Sequence, residues 1–516
     1  MTASHTPHLA PAEGASAPKR ALILAGGGMR VAWQAGVLRA LAEEGLTFAH
    51  GDGTSGGIMN LAMLLSGLSP VEMCDRWRTL DPHHFSSFFP LEEYLHGPQL
   101  KALGDARGVR EKVFPHLGID VAEINASTGM EGTFNVCNYT RKTNEVIPHQ
   151  RVDLDLLVAG MSLPIFMPAV QKDGAWYTDS VWIKDANLIE AVRRGADELW
   201  LVWCIGNTSE YKLGAFNQYV HMIELAANGS LFEELGQIGE VNERRARGEA
   251  VYGHTRSVRL HVIRPEYPLP LDPDYFLGRI DGPTLVDLGY ADAKRYLANR
   301  APDGLPLTPD VTKMKNPTLG FTFRETMSGH FALGETIPQA SEKSGRDAGT
   351  EMAMHATILI DDLDKFIADR DHLGRIAGNI DFAPFGKAIP ATRGVFNLFS
   401  PADDPKMKLM VYELAFEHDG QRYYLAGHKE VKDDPGLDLW KDSTTLFTTL
   451  HRGDGKDAPV IGAGILSLGP IELAKMVGTM HATGTDSVPE QAKALARFGK
   501  FFMGELWDSY IVKLRK

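Results

Sequence analysis

The chain is poor in cysteine. Among its 516 residues only Cys74, Cys137 and Cys204 carry thiols. Three scattered cysteines build neither a disulfide framework nor a zinc cluster, and they suit a reducing cytoplasm. Long apolar runs are missing too. No stretch of about eighteen apolar residues occurs, so no spanning helix is expected. Basic excess is also absent. The net charge of −13 disfavours a nucleic-acid partner, whose phosphates need a cationic face. Peripheral contact with a membrane or lipid surface remains compatible, because such contact can be apolar. No cluster of metal ligands is apparent, and neither metal nor cofactor is expected. Residues 1–19 are rich in Ala, Pro, Ser and Thr and lack the apolar core of a signal peptide, so a disordered leader is predicted.

Glycine, by contrast, is plentiful, at 52 residues. Residues 51–57 read GDGTSGG and contain Gly-x-Ser-x-Gly centred on Ser55, the spacing of a nucleophile elbow. In a chain this long and glycine-rich, about 0.3 such matches arise by chance, so the flanking sequence has to decide. ALILA (21–25) is a short apolar run suited to a buried strand, and GGGMR (26–30) follows it. Residues 31–45 have helical spacing, with Gly45 placed to end the helix. TFAHGD (47–52) reads as a second strand, and GIMNLAMLLSG (57–67) as an apolar helix after the serine. Strand, glycine loop, helix, strand, serine, helix is the start of a parallel α/β sheet. Both glycine-rich sites then lie at the carboxyl ends of neighbouring strands and can face one cavity.

A serine nucleophile needs a sharp turn, donors for the oxyanion and a base. Gly53 and Gly57 flank Ser55 where bulk would block the turn. Gly26, Gly27 and Gly28 end a strand where backbone amides can converge on an anion. The glycines could instead form a bare turn or a dinucleotide loop, but the third glycine of Gly-x-Gly-x-x-Gly would fall at position 31, which is Val31. For the base, Asp179 in WYTDSVWIKD is crowded by Trp176, Tyr177 and Trp182, and a desolvated carboxylate is a better base than a solvated one. Asp185 in the same stretch, Asp52 beside the elbow, and a histidine such as His221 or His254 are the alternatives.

Three motifs in this order resemble the patatin-like phospholipases. These are GGGMR, the Ser55 elbow, and Asp179 preceded by GMSLPIFMP and followed by ANLIEAVRRGADELWLV. The resemblance covers residues 20–200. It implies a parallel-sheet sandwich of helices and a lipid acyl hydrolase that works with a Ser55–Asp179 dyad and no histidine. It makes Gly26, Gly27 and Gly28 the oxyanion loop, Arg30 its anchor, and a lipid ester the partner. Three positions depart from the family. Val31 replaces the glycine usual after the arginine, and Ser180-Val181 replace glycines after the aspartate. A non-catalytic lipid-binding scaffold of the same fold and a lipid transacylase are the alternative functions.

Further along, DLLVAGMSLPIFMPAV (155–170) and ELWLVWCI (198–205) read as buried strands, and 216–250 as helix. HHFSSFFPLEEYL (83–95) is aromatic enough to line an acyl tunnel, touch lipid or fill the core. The acyl-hydrolase domain is expected over 20–300, a Pro- and Gly-rich linker over 301–315, and a β-rich domain ending in a helix over 316–516. HDG at 418–420 between alternating runs predicts a hairpin over 408–431. FTFRETMSGHF at the start of this region loosely resembles a β domain attached to sterol-type flavin oxidoreductases, and no residue role is carried over from it. The terminal helix gathers Phe498, Phe501, Phe502, Trp507 and Tyr510 among Arg497, Lys500 and Lys513. It can lie on lipid or dock on its own sheet.

Overall fold

The computed structural model describes residues 18–89, 92, 94, 100–402, 404, 407–432 and 443–511. The expected leader falls almost wholly outside these residues. So do parts of 83–95, Lys513, and the side chains of Trp507 and Tyr510.

The first sheet is built from β1 (Arg20–Leu24), β2 (His50–Thr54), β3 (Glu131–Asn138), β4 (Thr143–Pro148), β5 (Val170–Lys172), β6 (Ala175–Thr178), β7 (Glu198–Val202) and β8 (Arg259–Ile263). Five strands run parallel in the order β3-β2-β1-β7-β8. The alternation of β1 explains the layers. Leu22 and Leu24 join one apolar core, while Ala21, Ile23 and Ala25 join another on the opposite face. Helices cover both faces, as a buried parallel sheet requires. Among them, Ala32–Glu43 and Gly57–Leu65 lie where sequence periodicity places them. The second strand begins at His50 rather than Thr47, where parallel register puts it opposite Ala21.

One expected strand is a helix. Within 155–170 the chain forms the helix Leu154–Ala159, then a proline-containing turn, and reaches β5 only at Val170. An apolar run alone does not separate buried helix from buried strand. Here Asp153 decides, because its carboxylate accepts the amide of Leu156 at 2.9 Å and caps the helix start.

The edge of β3 carries the arrangement that matters for function. Asn135 pairs with Thr54 of β2, and two residues on Cys137 pairs with Thr178 of β6. The opposite edge of β3 is filled by β4. Thus β6 takes over the edge where β2 ends, and the residues after Thr54 and Thr178 are brought together.

Residues 304–315 run along the first sheet. Leu305 donates to Leu260 O at 2.7 Å and Met314 to Asn207 O at 2.8 Å. Beyond them, β9 (Gly320–Leu333), β10 (Glu351–Ile360), β11 (Leu373–Phe382), β12 (Gly386–Pro401), β13 (Met407–His418), β14 (Gln421–Lys432), β15 (Thr445–Arg452) and β16 (Val460–Ser467) form an antiparallel barrel. It closes because β9 pairs with β10 on one edge and β16 on the other. A short β17 (His481–Thr483) extends the second edge. The 408–431 hairpin forms, with Asp419 and Gly420 both at positive φ in its two-residue turn. Inward residues alternate along each strand and fill the interior. Met327, Phe331, Ile380, Phe396, Leu414, Leu425, Leu446 and Leu450 are each fully buried at 0% exposure, which leaves no water-sized space beside them. The terminal helix, Val488–Ile511, docks on this barrel, and Phe498 stacks on Phe321 at 4.2 Å. Among the described residues no helix is long and apolar enough to cross a membrane.

One polar group sits inside the apolar barrel. Lys429 Nζ donates to Glu325 Oε1 at 2.5 Å, and the Tyr412 hydroxyl donates to Glu325 Oε2 at 2.9 Å. Breaking a buried ion pair leaves an unpaired charge and typically costs about 3–5 kcal/mol, whereas removing both charges costs much less. Lys429→Met is therefore expected to lower the unfolding free energy by about that amount, and Lys429→Met with Glu325→Gln by clearly less. Chemical denaturation of the two variants checks this. A double variant less stable than the single would contradict it.

Candidate active site

Ser55 follows β2 directly and starts the turn into the helix Gly57–Leu65. Its φ is +50°, a left-handed conformation that a non-glycine residue adopts at a cost of about 1–2 kcal/mol. The surroundings enforce it. A Cβ on Gly57 would lie 2.2 Å from Leu24 O, and one on Gly56 would lie 2.5 Å from Gly28 O. The elbow is thus packed directly on the end of β1, and only glycine permits the approach. Ser55 is half-buried, and the helix that begins at Gly57 follows it directly.

Asp179 arrives on the other side, immediately after β6. Ser55 Oγ donates to its Oδ2 at 2.6 Å. The amide of Val181 donates to Oδ1 at 2.9 Å and orients the carboxylate. Asp179 is completely buried. Burial pushes its pKa up to about 6, and the hydrogen bonds from Ser55 and the Val181 and Ser180 amides oppose that rise. A carboxylate that titrates near neutrality is suited to taking and returning a proton.

The glycine loop runs beside the elbow. A Cβ on Gly26 would lie 2.9 Å from Ser55 Cβ, and the Cβ position of Gly56 is 3.1 Å from Gly28 N. Three successive carbonyls of this loop are held by side chains. Gln34 Nε2 donates to Ala25 O at 2.7 Å, Cys204 Sγ to Gly26 O at 3.2 Å, and Arg30 Nε to Gly27 O at 3.0 Å. In a planar trans peptide the N–H points opposite to the C=O. Fixing these carbonyls therefore aims the amides of Gly26, Gly27 and Gly28. Burial pushes the Cys204 thiol up to about 12, so it stays protonated and can donate. Two carboxyls, the buried Asp185 and the partly buried Asp272, take the outer amides. Asp185 accepts Gly26 N at 3.1 and 3.2 Å through its two oxygens, and Asp272 accepts Met29 N at 3.0 Å. Among the described residues no acceptor is assigned to the amides of Gly27 and Gly28.

The departures from the family pattern are accommodated. Val31 has φ −65°, and neither Ser180 nor Val181 has positive φ, so glycine's freedom is unnecessary at all three. Ser180 is fully buried, and its hydroxyl donates to Asn144 Oδ1. Asn144 and Asn187 in turn both donate to Asn135 Oδ1, at 2.9 and 3.0 Å. This network ties the loop after Asp179 to β3 and β4.

The alternative bases lie elsewhere. Asp52 is buried behind the elbow, where Thr133 and Asn135 each donate to it at 2.5 Å. His221 contacts Glu224 and the Lys212 amide, and His254 contacts Val192 O. Sequence reasoning treated Asp185 only as a rival base, and it gave no role to Gln34, Cys204, Asp272, Asn135 or Asn144. Their spacing carries no signal, because each meets the site through tertiary packing. Beside β6 a cavity of about 350 Å³ is lined by Tyr139, Pro164, Ile165, Met167, Trp176 and Thr178. Ile165 and Trp176 are exposed at its rim.

Residues 22–192 match the model of the patatin-like phospholipase family, so this part of the chain is similar to that family. The structure also resembles that of VipD from Legionella pneumophila, with 12% identity, a TM-score of 0.31, and 55% of this chain and 67% of that chain covered. No curated protein matches the chain.

The contacts of the elbow separate its two outer glycines. A Cβ on Gly53 would meet Gly57 O and Leu61 atoms at 3.2 Å, a squeeze rather than a collision. Gly57→Ala is expected to destabilise the protein by about 2 kcal/mol or more, and Gly53→Ala by about 1 kcal/mol or less. Thermal denaturation distinguishes them, and equal shifts would contradict the packing described.

Proposed function

We propose that the protein is a serine lipid acyl hydrolase of the phospholipase or esterase type, with Ser55 as nucleophile and Asp179 as base. The observation that carries this reading is the 2.6 Å hydrogen bond from Ser55 Oγ to the buried Asp179 carboxylate, made by a serine in a left-handed elbow. The patatin-like phospholipase match over 22–192 supports a lipid ester as substrate, and the mainly apolar cavity beside β6, with Lys101 in its lining, suits an acyl chain.

In this reading Asp179 accepts the Ser55 proton as Oγ attacks the ester carbonyl. The negative oxygen of the tetrahedral intermediate lies against the amides of Gly27 and Gly28, with the Gly57–Leu65 helix dipole adding to the field. Arg30 anchors the loop through Gly27 O and does not touch substrate. The C–O bond to the alcohol breaks, and Asp179 returns the proton to the leaving oxygen. Water then attacks the acyl-enzyme, its proton passing to Asp179, and collapse of the second intermediate releases the fatty acid and restores Ser55. No cofactor is needed for any of these steps. The substrate reaches the site from a membrane or lipid surface by peripheral contact, and the sparse, unpaired cysteines suit a cytoplasmic setting.

Two outcomes test the dyad. Ser55→Ala and Asp179→Asn should each remain folded and each abolish hydrolysis of a short-chain ester. The double variant should be little worse than either single, because groups that act as a unit are non-additive. A fluorophosphonate should label Ser55 in the native protein. Asp179 must be ionised to act as base, so kcat/KM should rise with pH through about 6, following its raised pKa. Unchanged turnover in either single variant would overturn the assignment.

A further inference from the structure

Asp185 is buried beside the site but does not reach the serine. It is fully buried and lies six residues after Asp179. Both its carboxyl oxygens lie within hydrogen-bond distance of Gly26 N. Gly26 is packed closely against both this carboxyl and the nucleophile. A Cβ there would lie 2.3 Å from Asp185 Oδ1 and 2.9 Å from Ser55 Cβ. The Gly26 amide is therefore unavailable to an oxyanion.

We propose that Asp185 is a positioning residue for the oxyanion loop: by holding the Gly26 amide it fixes the amides of Gly27 and Gly28 at the reacting carbonyl. This rests on the hydrolase reading above. The peptide planes explain the effect. Gly26 is the pivot from which the next two amides project, and its carbonyl is already held by Cys204. Losing the clasp on its N–H frees one side of that pivot. A displacement of about 1 Å at such a donor can cost 10²-fold in rate.

The same carboxyl confers a second ionisation. Burial and the neighbouring Asp179 charge push Asp185 up to about 8, while the Gly26 amide and Arg30 act against the rise. The groups facing it are Asp179 on its own segment, Arg30 at the end of the glycine loop, and the protonated Cys204 after β7. Between the two ionisations the pair carries one charge, and the better hydrogen-bonded Asp179 favours holding it. Above about 8 a second negative charge appears next to the loop that must stabilise an oxyanion. The rate should therefore fall on the alkaline side, giving a bell-shaped profile.

The experiment is steady-state hydrolysis of p-nitrophenyl butyrate by the full-length protein across about pH 5 to 9.5, comparing native protein, Asp185→Ala, Asp185→Asn and Ser55→Ala. Asp185→Ala should lower kcat by about 10- to 100-fold with little change in KM. Asp185→Asn keeps a neutral oxygen for Gly26 N, so it should recover most of the rate at neutral pH and lose the alkaline limb. A native-like kcat in Asp185→Ala, or an alkaline limb that persists in Asp185→Asn, would overturn the proposal. If Asp185→Ala does not fold, the profile of Asp185→Asn decides alone, since a packing role would leave the limb in place. Activity surviving in Ser55→Ala would instead overturn the hydrolase reading itself.

Discussion

The edge of β3 is shared between two strands, and the site depends on that sharing. β2 occupies it as far as Thr54 opposite Asn135, and β6 occupies it from Thr178 opposite Cys137. One strand arrives parallel to β3 and the other antiparallel. Their ends therefore meet head to head, and the next residue of each, Ser55 and Asp179, is placed at hydrogen-bond distance. The hydrogen bond between them is direct, because the backbone register has already closed the gap. A shift of β6 by one residue would turn Asp179 to the opposite face of the sheet.

Around that contact the chain gathers carboxyls that would repel one another if all were charged. Asp52, Asp179 and Asp185 are each completely buried, and burial raises all three. Each is matched to donors that differ in kind. Asp179 takes a hydroxyl and backbone amides, Asp185 takes a single glycine amide, and Asp52 takes Thr133 and Asn135 side chains. Asp179, the better supplied of the two beside Ser55, has more donors to oppose the rise that burial causes. Asp185, with one donor and a charged neighbour, stays neutral over a wider range. The division of labour follows from hydrogen-bond supply, not from residue type.

Much of this was legible in the sequence because it rests on local rules. The Gly-x-Ser-x-Gly spacing, the strand before it and the apolar helix after it specify an elbow without reference to the rest of the fold. The Asp-Gly turn at 419–420 likewise specifies its hairpin. What was not legible depends on who faces whom. The run at 155–170 is equally apolar as helix or strand, and only the Asp153 cap separates the two. Cys204, 176 residues beyond Gly28, looked inert, and its role as a donor exists only because β7 lies next to β1. Asp185 looked like a weaker copy of Asp179, since spacing cannot show which of two buried acids meets a hydroxyl and which meets an amide.

The barrel bears on the same loop through a chain of close contacts. The helix Gly282–Ala298 lies between the barrel and the first sheet. On the barrel side, Asp287 accepts Asn379 at 2.8 Å, Thr284 meets Thr357 at 2.9 Å, and Lys294 joins Glu417 of the barrel to Glu43. On the other side it packs on Ala32–Glu43 with almost no space. A Cβ on Gly36 would lie 2.0 Å from Val286 O, and one on Gly289 would lie 1.9 Å from Trp33 O. Ala32–Glu43 begins where the glycine loop ends, and its Gln34 holds the first carbonyl of that loop. Glycine-mediated backbone contact of this kind has no soft side chain to absorb displacement. With its interior filled by its own residues, the barrel has no room beside its core for a lipid chain. Through the helix Gly282–Ala298 it backs the helix that follows the glycine loop.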